Sequence, residues 1–314
     1  MSAGARPFRV GPAKCYYSGS GRLVANVAAV GVPLSLIQLF RKCNQRCVFC
    51  SWPEEGGRGP APGLKDWLRE LAALPPGLAQ ISGGEPLLAS PADLCLLLGA
   101  ARRLGRRAEL QTNALAAADI PAADLLKIVK ALNAAGGYFN VNFPAASPAV
   151  DFKITRARGG FKKRLAGVRR LIKAGAQVRL THVISSLNYK SLPAFAAFAA
   201  RSLKGAAWIQ FSFIKGAGRA GDGKYIPGYS AVQPYLEKAL AACSGAGFHC
   251  EVDHIPPCRL GRFWELNVDV EKMRKGLKGP HLSEKKRLPA CRGCRFIKVC
   301  PGPRKDYIAA HRKI

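Results

Sequence analysis

The chain's 314 residues, 48% of them hydrophobic, suffice for one large domain or for a large domain with a small appendage. Its 49 Lys and Arg against 19 Asp and Glu give a formal net charge of +30, a field that draws nucleic acid, an anionic membrane surface or an acidic peptide without saying which. Charges and Gly/Pro interrupt every apolar run, and the opening MSAGARPFRV has no apolar segment after its arginines, so neither a membrane span nor a secretory signal is expected and the protein is expected to be cytoplasmic.

In chain order, LSLIQLF (34–40) reads as a strand, and a loop rich in cysteine follows it. LKDWLRELAAL (64–74) is apolar at helical spacing. LAQIS (78–82) is a strand, PADLCLLLGAARRLG (91–105) a helix, AELQT (108–112) a strand, and PAADLLKIVKALNAAGG (121–137) a helix stopped by its Gly pair. YFNVNF (138–143) precedes a basic helix near 161–174. QVRLTHVIS (177–185) precedes the helical SLPAFAAFAARSL (191–203), and AWIQFSFI (207–214) is the sixth strand. Six strand–helix alternations imply parallel pairing through helical crossovers. That is too few for a closed eight-stranded barrel and enough for an open, curved one.

The expected fold class is therefore α/β, a partial (β/α)6 TIM-like barrel with a small C-terminal cysteine-rich cluster-binding domain. Boundaries fall at 1–31 for an N-terminal extension, 32–225 for the barrel and 226–314 for the C-terminal domain. The last begins around the turn GDGKYIPGYS (221–230), followed by one helix (231–246) and a tail of weak periodicity. In parallel sheets of this kind the chemistry gathers at the carboxyl ends of the strands, where the cysteine loop lies.

Of 11 cysteines, nine form three local groups: Cys43, Cys47 and Cys50; Cys243, Cys250 and Cys258; and Cys291, Cys294 and Cys300. In a reducing compartment such clusters read as metal sites, not disulfides. FRKCNQRCVFCSW (40–52) offers three soft thiolates in one loop, which suit an iron–sulfur cluster, zinc or Cu(I). Structural zinc normally takes four protein ligands, and no fourth Cys or His is near in sequence. A cubane cluster takes one ligand per iron, so three cysteines leave one iron open to an outside molecule.

Cys43-x3-Cys47-x-Phe49-Cys50 resembles the signature of the radical S-adenosylmethionine (SAM) superfamily, including the aromatic before the last cysteine. ISGGEPLL (81–88), after the second strand, resembles that superfamily's GGEP motif, which meets the SAM amino group. QTNALA (111–116) resembles a TNG-type turn, with Ala114 where glycine is usual. The resemblance covers about 32–221. It implies a catalytic [4Fe–4S] cluster on Cys43, Cys47 and Cys50 and a SAM site that includes Phe49, Gly83, Gly84, Glu85 and Pro86. Asn142 in NVNF and Asn188 after the fifth strand are implied as ribose or carboxylate contacts, and FIKGAGRA (213–220) as the loop near adenine. Reductive cleavage of SAM to a 5′-deoxyadenosyl radical is the implied chemistry. Gly216-x-Gly218-x-x-Gly221 formally matches a dinucleotide fingerprint, but no helix opens on it and no acidic residue follows at the required distance, so it is not read as one.

In the tail, Cys258 with Cys291-x2-Cys294-x5-Cys300 supplies four thiolates, a complete set for a closed [4Fe–4S] cluster or for tetrahedral zinc. The arrangement resembles the SPASM and twitch tails of radical SAM enzymes. Pro301-Gly302-Pro303-Arg304 stands where a full SPASM tail carries another cysteine, which implies one auxiliary [4Fe–4S] cluster. Cys250, Cys243 and Cys95 read as packing residues. The five histidines (182, 249, 254, 281 and 311) form no ligand-spaced pair.

Such tails most often accompany modification of a peptide or protein side chain, and a substrate with an acidic segment suits the charge. An electron donor such as flavodoxin or ferredoxin is implied. Alternatives are a radical SAM enzyme of RNA modification or small-cofactor biosynthesis, and a non-catalytic zinc-dependent nucleic-acid-binding protein. KITRARGGFKKRLAGVRRLIK (153–173) begins at the active-site end of the barrel, yet no recognisable RNA-binding module accompanies it.

Overall fold

The computed structural model describes residues 35–53, 61–277 and 279–311, so the N-terminal extension lies outside the described residues. Seven strands form one sheet in the order β1 to β7, and every neighbouring pair is parallel. They are β1 (Leu36–Gln38), β2 (Leu78–Ser82), β3 (Arg107–Thr112), β4 (Tyr138–Asn142), β5 (Val178–Ile184), β6 (Trp208–Phe213) and β7 (His249–Asp253). The crossovers are α1 (Leu64–Ala73), α2 (Pro91–Arg103), α3 (Ala122–Ala134), α4 (Pro148–Thr155), α5 (Gly160–Lys173), α6 (Leu192–Ser202) and α7 (Tyr229–Gly245). This is the partial-barrel α/β architecture expected, with one strand more than six repeats supply. FHCEVD reads as a strand in the sequence but falls within the expected C-terminal domain; its pairing with β6 carries the barrel sheet past residue 225.

Alternation along the strands sets the two faces of the sheet. Ala79, Ile81, Leu110, Phe139, Val141, Leu180, Ile209, Phe211 and Val252 share one core with the helix residues Leu94, Leu98, Ile128, Val168, Phe195 and Leu236. The residues between them are polar and bond across the strands. Glu109 accepts from Tyr138 (2.5 Å), Asn140 (2.7 Å), Arg179 (2.9 Å) and Gln111 (3.0 Å). Thr181 donates to Asn140 (2.6 Å), and Gln210 reaches Glu251 (3.4 Å). The Glu109–Arg179 pair is fully buried, so its partners and hydrogen bonds are what make its desolvation tolerable.

A single helix, the basic one, was expected after β4, and two helices are present. α4 starts on Ser147, whose hydroxyl accepts from the Val150 N–H, with Pro148 in the first turn. It ends at Arg156 in the left-handed conformation, and only then does the basic α5 begin.

Beyond β7 lie α8 (Val268–Arg274), α9 (Pro280–Ser283) and α10 (Lys305–Ala310), separated by irregular chain. Ion pairs and hydrogen bonds moor this region to the loop after β6. Lys215 pairs with Glu284 at 3.0 Å, and the Gly216 N–H donates to Asp306 at 2.6 Å. Asp269 pairs with the buried Lys285, and Arg304 with Asp306. No helix among the described residues is long and apolar enough to cross a membrane.

Candidate active site

With every strand parallel, the loops after β1 to β6 converge on one end of the barrel, and the motifs singled out within the barrel segment lie on them or at the strand ends that feed them. The cysteine loop after β1 is held from three sides. On one side, the N–H groups of Arg46 and Val48 donate to the carbonyls of Thr155 and Ile154 at the end of α4, both at 2.9 Å. On a second side lies the GGEP turn, where the Gly84 N–H donates to Phe40 O (2.5 Å) and the Glu85 N–H to Lys42 O (2.9 Å). A Cβ on Gly84 would stand 1.9 Å from Lys42 O, so the glycine is what admits the loop. On the third side, Gly218 packs on the Cys50 carbonyl and Arg219 N–H donates to it at 3.0 Å.

Within this cradle the three sulfurs feel one another. Burial, with the Glu85 and Cys50 charges adding to it, pushes the Cys43 thiol up to about 11. Cys47 is pushed up further, by burial first and then by Cys50. The Cys47 thiol donates to Gln45 at 3.3 Å, and Asn113 Nδ2 lies 3.8 Å from Cys43 Sγ while donating to Asn44 at 2.7 Å. Three soft ligands on one loop, close enough for their charges to act on one another and with no fourth in the loop, are the donor set of a cubane that keeps one iron open. Cys43, Cys47 and Cys50 would hold such a cluster as thiolates, and its iron would supply the positive charge they need.

Glu85 is 1% exposed and all its contacts are internal. It accepts from Leu87 N–H (3.0 Å), Thr112 Oγ1 (2.5 Å) and Asn113 N–H (2.7 Å), tying the loops after β2 and β3 together. Pro86 opens the short turn that follows, and Phe49 packs its ring against the barrel core. Ala114 takes φ +57°, the left-handed backbone that the usual glycine would adopt.

The two asparagines differ. Asn142 Oδ1 is buried with no hydrogen-bond partner, an acceptor waiting for a donor. Asn188 is saturated: Oδ1 accepts from Ser185 N–H (2.7 Å), and Nδ2 lies 2.8 Å from the carbonyls of Pro144 and Val183 and 3.2 Å from His182 Nε2. Its amide thus ties the ends of β4 and β5. Burial lowers His182 to about 3, so the ring is neutral and donates from Nδ1 to Phe143 O at 3.0 Å.

Sequence reasoning passed over Arg164. It lies in a basic run of the kind that normally faces water, yet it is 0% exposed and ion-paired with the buried Asp151. Its Nε and Nη2 have no partner. Its charge acts on both Cys47 and Glu85, so it lies beside the cysteine loop. The nearest sequence signal is Asp151, thirteen residues earlier and equally buried.

In the C-terminal region, Cys258, Cys291, Cys294 and Cys300 line one cavity of about 340 Å³ together with Tyr229, Phe296 and Tyr307. Burial pushes the Cys300 thiol up to about 11 and raises Cys258 as well. Gly302 N–H donates to Cys300 Sγ at 3.3 Å. The four thiols share that cavity, and as a donor set they suit [4Fe–4S] or zinc, although among the described residues no three such groups are already placed to hold a single metal ion. Cys250 takes no part; it lies in the core, hydrogen-bonded to Cys243.

Residues 37–199 match the Radical SAM superfamily. The chain is 38% identical over 77 residues to 7-carboxy-7-deazaguanine synthase of Hyperthermus butylicus, a stretch covering 23% of this chain and 32% of that protein. Among solved structures, anSMEcpe with bound AdoMet and Kp18Cys peptide superposes with a TM-score of 0.60 at 13% identity, covering 88% of this chain and 95% of that one. Streptococcus suis SuiB bound to precursor peptide SuiA superposes at 0.55 with 16% identity, over 69% of this chain and 48% of SuiB. The chain thus spans about a third of the curated relative and about half of SuiB. At these identities the two structures establish likeness of fold.

Proposed function

Because the chain belongs to the radical SAM superfamily, we propose that it cleaves SAM reductively at a [4Fe–4S] cluster on Cys43, Cys47 and Cys50 and uses the radical to modify a peptide or protein side chain. The observation that carries this reading is the cysteine loop itself, three electrostatically coupled thiols at the carboxyl end of the sheet, seated on Gly84 and Gly218. When bound, the cluster and SAM supply a 5′-deoxyadenosyl radical able to take hydrogen from an unactivated carbon. The chain's own residues bind, orient and exclude water.

Arg164, itself shielded from solvent, offers two nitrogens, Nε and Nη2, without hydrogen-bond partners beside Cys47. A buried cation there suits the SAM α-carboxylate and the anionic cluster alike. Asn142 Oδ1 offers the acceptor a ribose hydroxyl needs. Glu85 and Asn188 hold the loops rather than reach outward, and we assign them positioning roles. Cys258, Cys291, Cys294 and Cys300 hold a second cluster, the iron–sulfur reading being favoured over zinc by the family context. A peptide substrate is supported by the peptides bound in the anSMEcpe and SuiB structures and by the +30 charge, which suits an acidic segment.

A second reading, a small heterocyclic substrate, draws on the local likeness to 7-carboxy-7-deazaguanine synthase. Anaerobic protein given dithionite and SAM is expected to release 5′-deoxyadenosine, and Cys43→Ala to release none. Equal release from the variant refutes the assignment of the first cluster. Deuterium transfer from a labelled peptide, or from a labelled heterocycle, into 5′-deoxyadenosine separates the two substrate readings.

A further inference from the structure

The geometry points to a docking surface for an acidic redox-partner protein on the face around the Cys258–Cys300 cavity. The inference rests on the proposal above that this cavity holds a redox centre.

Three observations on the chain carry it. The cavity is open at one corner, since Cys258 is exposed while Cys300 is buried. Arg259 and Arg287 line the cavity, and Lys286, Arg292, Arg295 and Lys298, each next in sequence to a lining residue, are exposed as well. Among the described residues none of these six has a carboxylate partner. The five acids that follow His254 are engaged elsewhere: Glu265 with Arg274, Asp269 with Lys285, Glu271 with Lys275, Glu284 with Lys215, and Asp306 with Arg304. Leu288, 38% exposed, and Ala290 line the same cavity and add an exposed apolar element to it. A small apolar patch inside a one-signed charged rim is the form of a transient encounter surface, where charge steers the approach and little area is buried.

The same face is wired to the first cysteine loop. Cys300 Sγ accepts from Gly302 N–H, and the chain runs on to Asp306, which accepts from Gly216 N–H at 2.6 Å. From Gly216 the chain reaches Arg219, whose N–H donates to Cys50 O at 3.0 Å. Tyr229 and Tyr307, both lining the cavity, stack at 3.6 Å, and Phe213 at the end of β6 lies 4.8 Å from Tyr229. A partner seated at Cys258 is thereby joined to Cys50 through short covalent segments and hydrogen bonds. This favours a redox protein over nucleic acid as the occupant.

The test is direct binding of an acidic flavodoxin to the reconstituted full chain, measured by calorimetry across a range of ionic strength. Saturable binding that weakens steeply with salt is expected. The triple variant Lys286→Glu/Arg292→Glu/Lys298→Glu should bind at least about tenfold more weakly. A control with equal charge change on α5, Lys162→Glu/Arg169→Glu/Lys173→Glu, should bind as the parent does. Iron content and dithionite-driven 5′-deoxyadenosine release should be unchanged in both. Absence of binding by the parent overturns the proposal, as does equal loss in the two variants. Displacement of flavodoxin by an acidic peptide but not by salt overturns it too, as does preferential capture of a single-stranded RNA oligomer by this face. Dithionite needs no docked protein, so its failure to drive SAM cleavage counts against the proposed function and not against the surface.

Discussion

Gly218 lies against the Cys50 carbonyl so closely that a Cβ on Gly218 would stand 2.2 Å from that oxygen, and Gly218 holds φ +55°. The loop after the last expected barrel strand is thus packed over the third cysteine of the loop after β1. Gly218→Ala must either unseat Cys50 or break the Arg219 hydrogen bond to it. The variant is expected to fold, lose about 1–3 kcal/mol of stability, and bind substantially less iron at the first site. Iron analysis with circular dichroism checks this; full iron loading at parental stability contradicts it.

Arg164 offers a planar fork, which lysine cannot reproduce. Arg164→Lys keeps a charge beside Asp151 and removes the free donors. SAM binding to the loaded protein is expected to weaken about 10- to 100-fold, the worth of roughly 1.5–3 kcal/mol for hydrogen bonds to a charged group. Equilibrium binding with iron content as the control checks it. Unchanged affinity means that the two free donors serve something other than SAM.

Glu251 gives the barrel interior a pH signature. Burial, with Asp253, Glu271 and Glu109 adding to it and Arg179 opposing, raises this carboxyl to about 7, and the His249 ring stands 4.0 Å away. A raised carboxyl stabilises the fold when protonated, so its contribution is full below the unfolded value of about 4.5 and is lost as pH rises through about 7. Glu251→Gln removes the titration. The variant should gain stability over the parent by up to roughly 3 kcal/mol between pH 5 and pH 8. Denaturant melts at the two pH values check this, and a pH-independent difference contradicts it.

Ala114 carries a left-handed backbone at φ +57° that costs about 1–2 kcal/mol for a residue with a Cβ. Ala114→Gly relieves it, at the expense of a more flexible unfolded chain. A net gain of up to about 1 kcal/mol is expected, read as a higher thermal midpoint.

The cysteine loop and the GGEP turn were legible because their chemistry is written in local spacing, and the strand–helix rhythm made the sheet legible in the same way. Arg164 was hidden, since its burial depends on Asp151 across a helix break at Arg156, and a basic run read alone favours a solvated face. Asn188 illustrates the converse. Its position was visible, but its four partners come from Ser185, Pro144, Val183 and His182, and only the packed ends of β4 and β5 bring them together. The polar inner face was written as alternation in AELQT and WIQFSF, yet period alone does not say which face a curved sheet closes around. HCEVD, short and next to the cysteine tail, shows its membership of the barrel only through pairing with β6.

The central claim is two iron–sulfur clusters of which one keeps an open iron for SAM. The most direct measurement is iron and sulfide per chain with electron paramagnetic resonance of the reduced protein, before and after SAM. About eight irons are expected, as two [4Fe–4S] clusters of which SAM perturbs one, and Cys43→Ala/Cys47→Ala/Cys50→Ala should leave about four irons insensitive to SAM. Stoichiometric zinc in place of iron, or spectra that SAM leaves unchanged, would contradict the account.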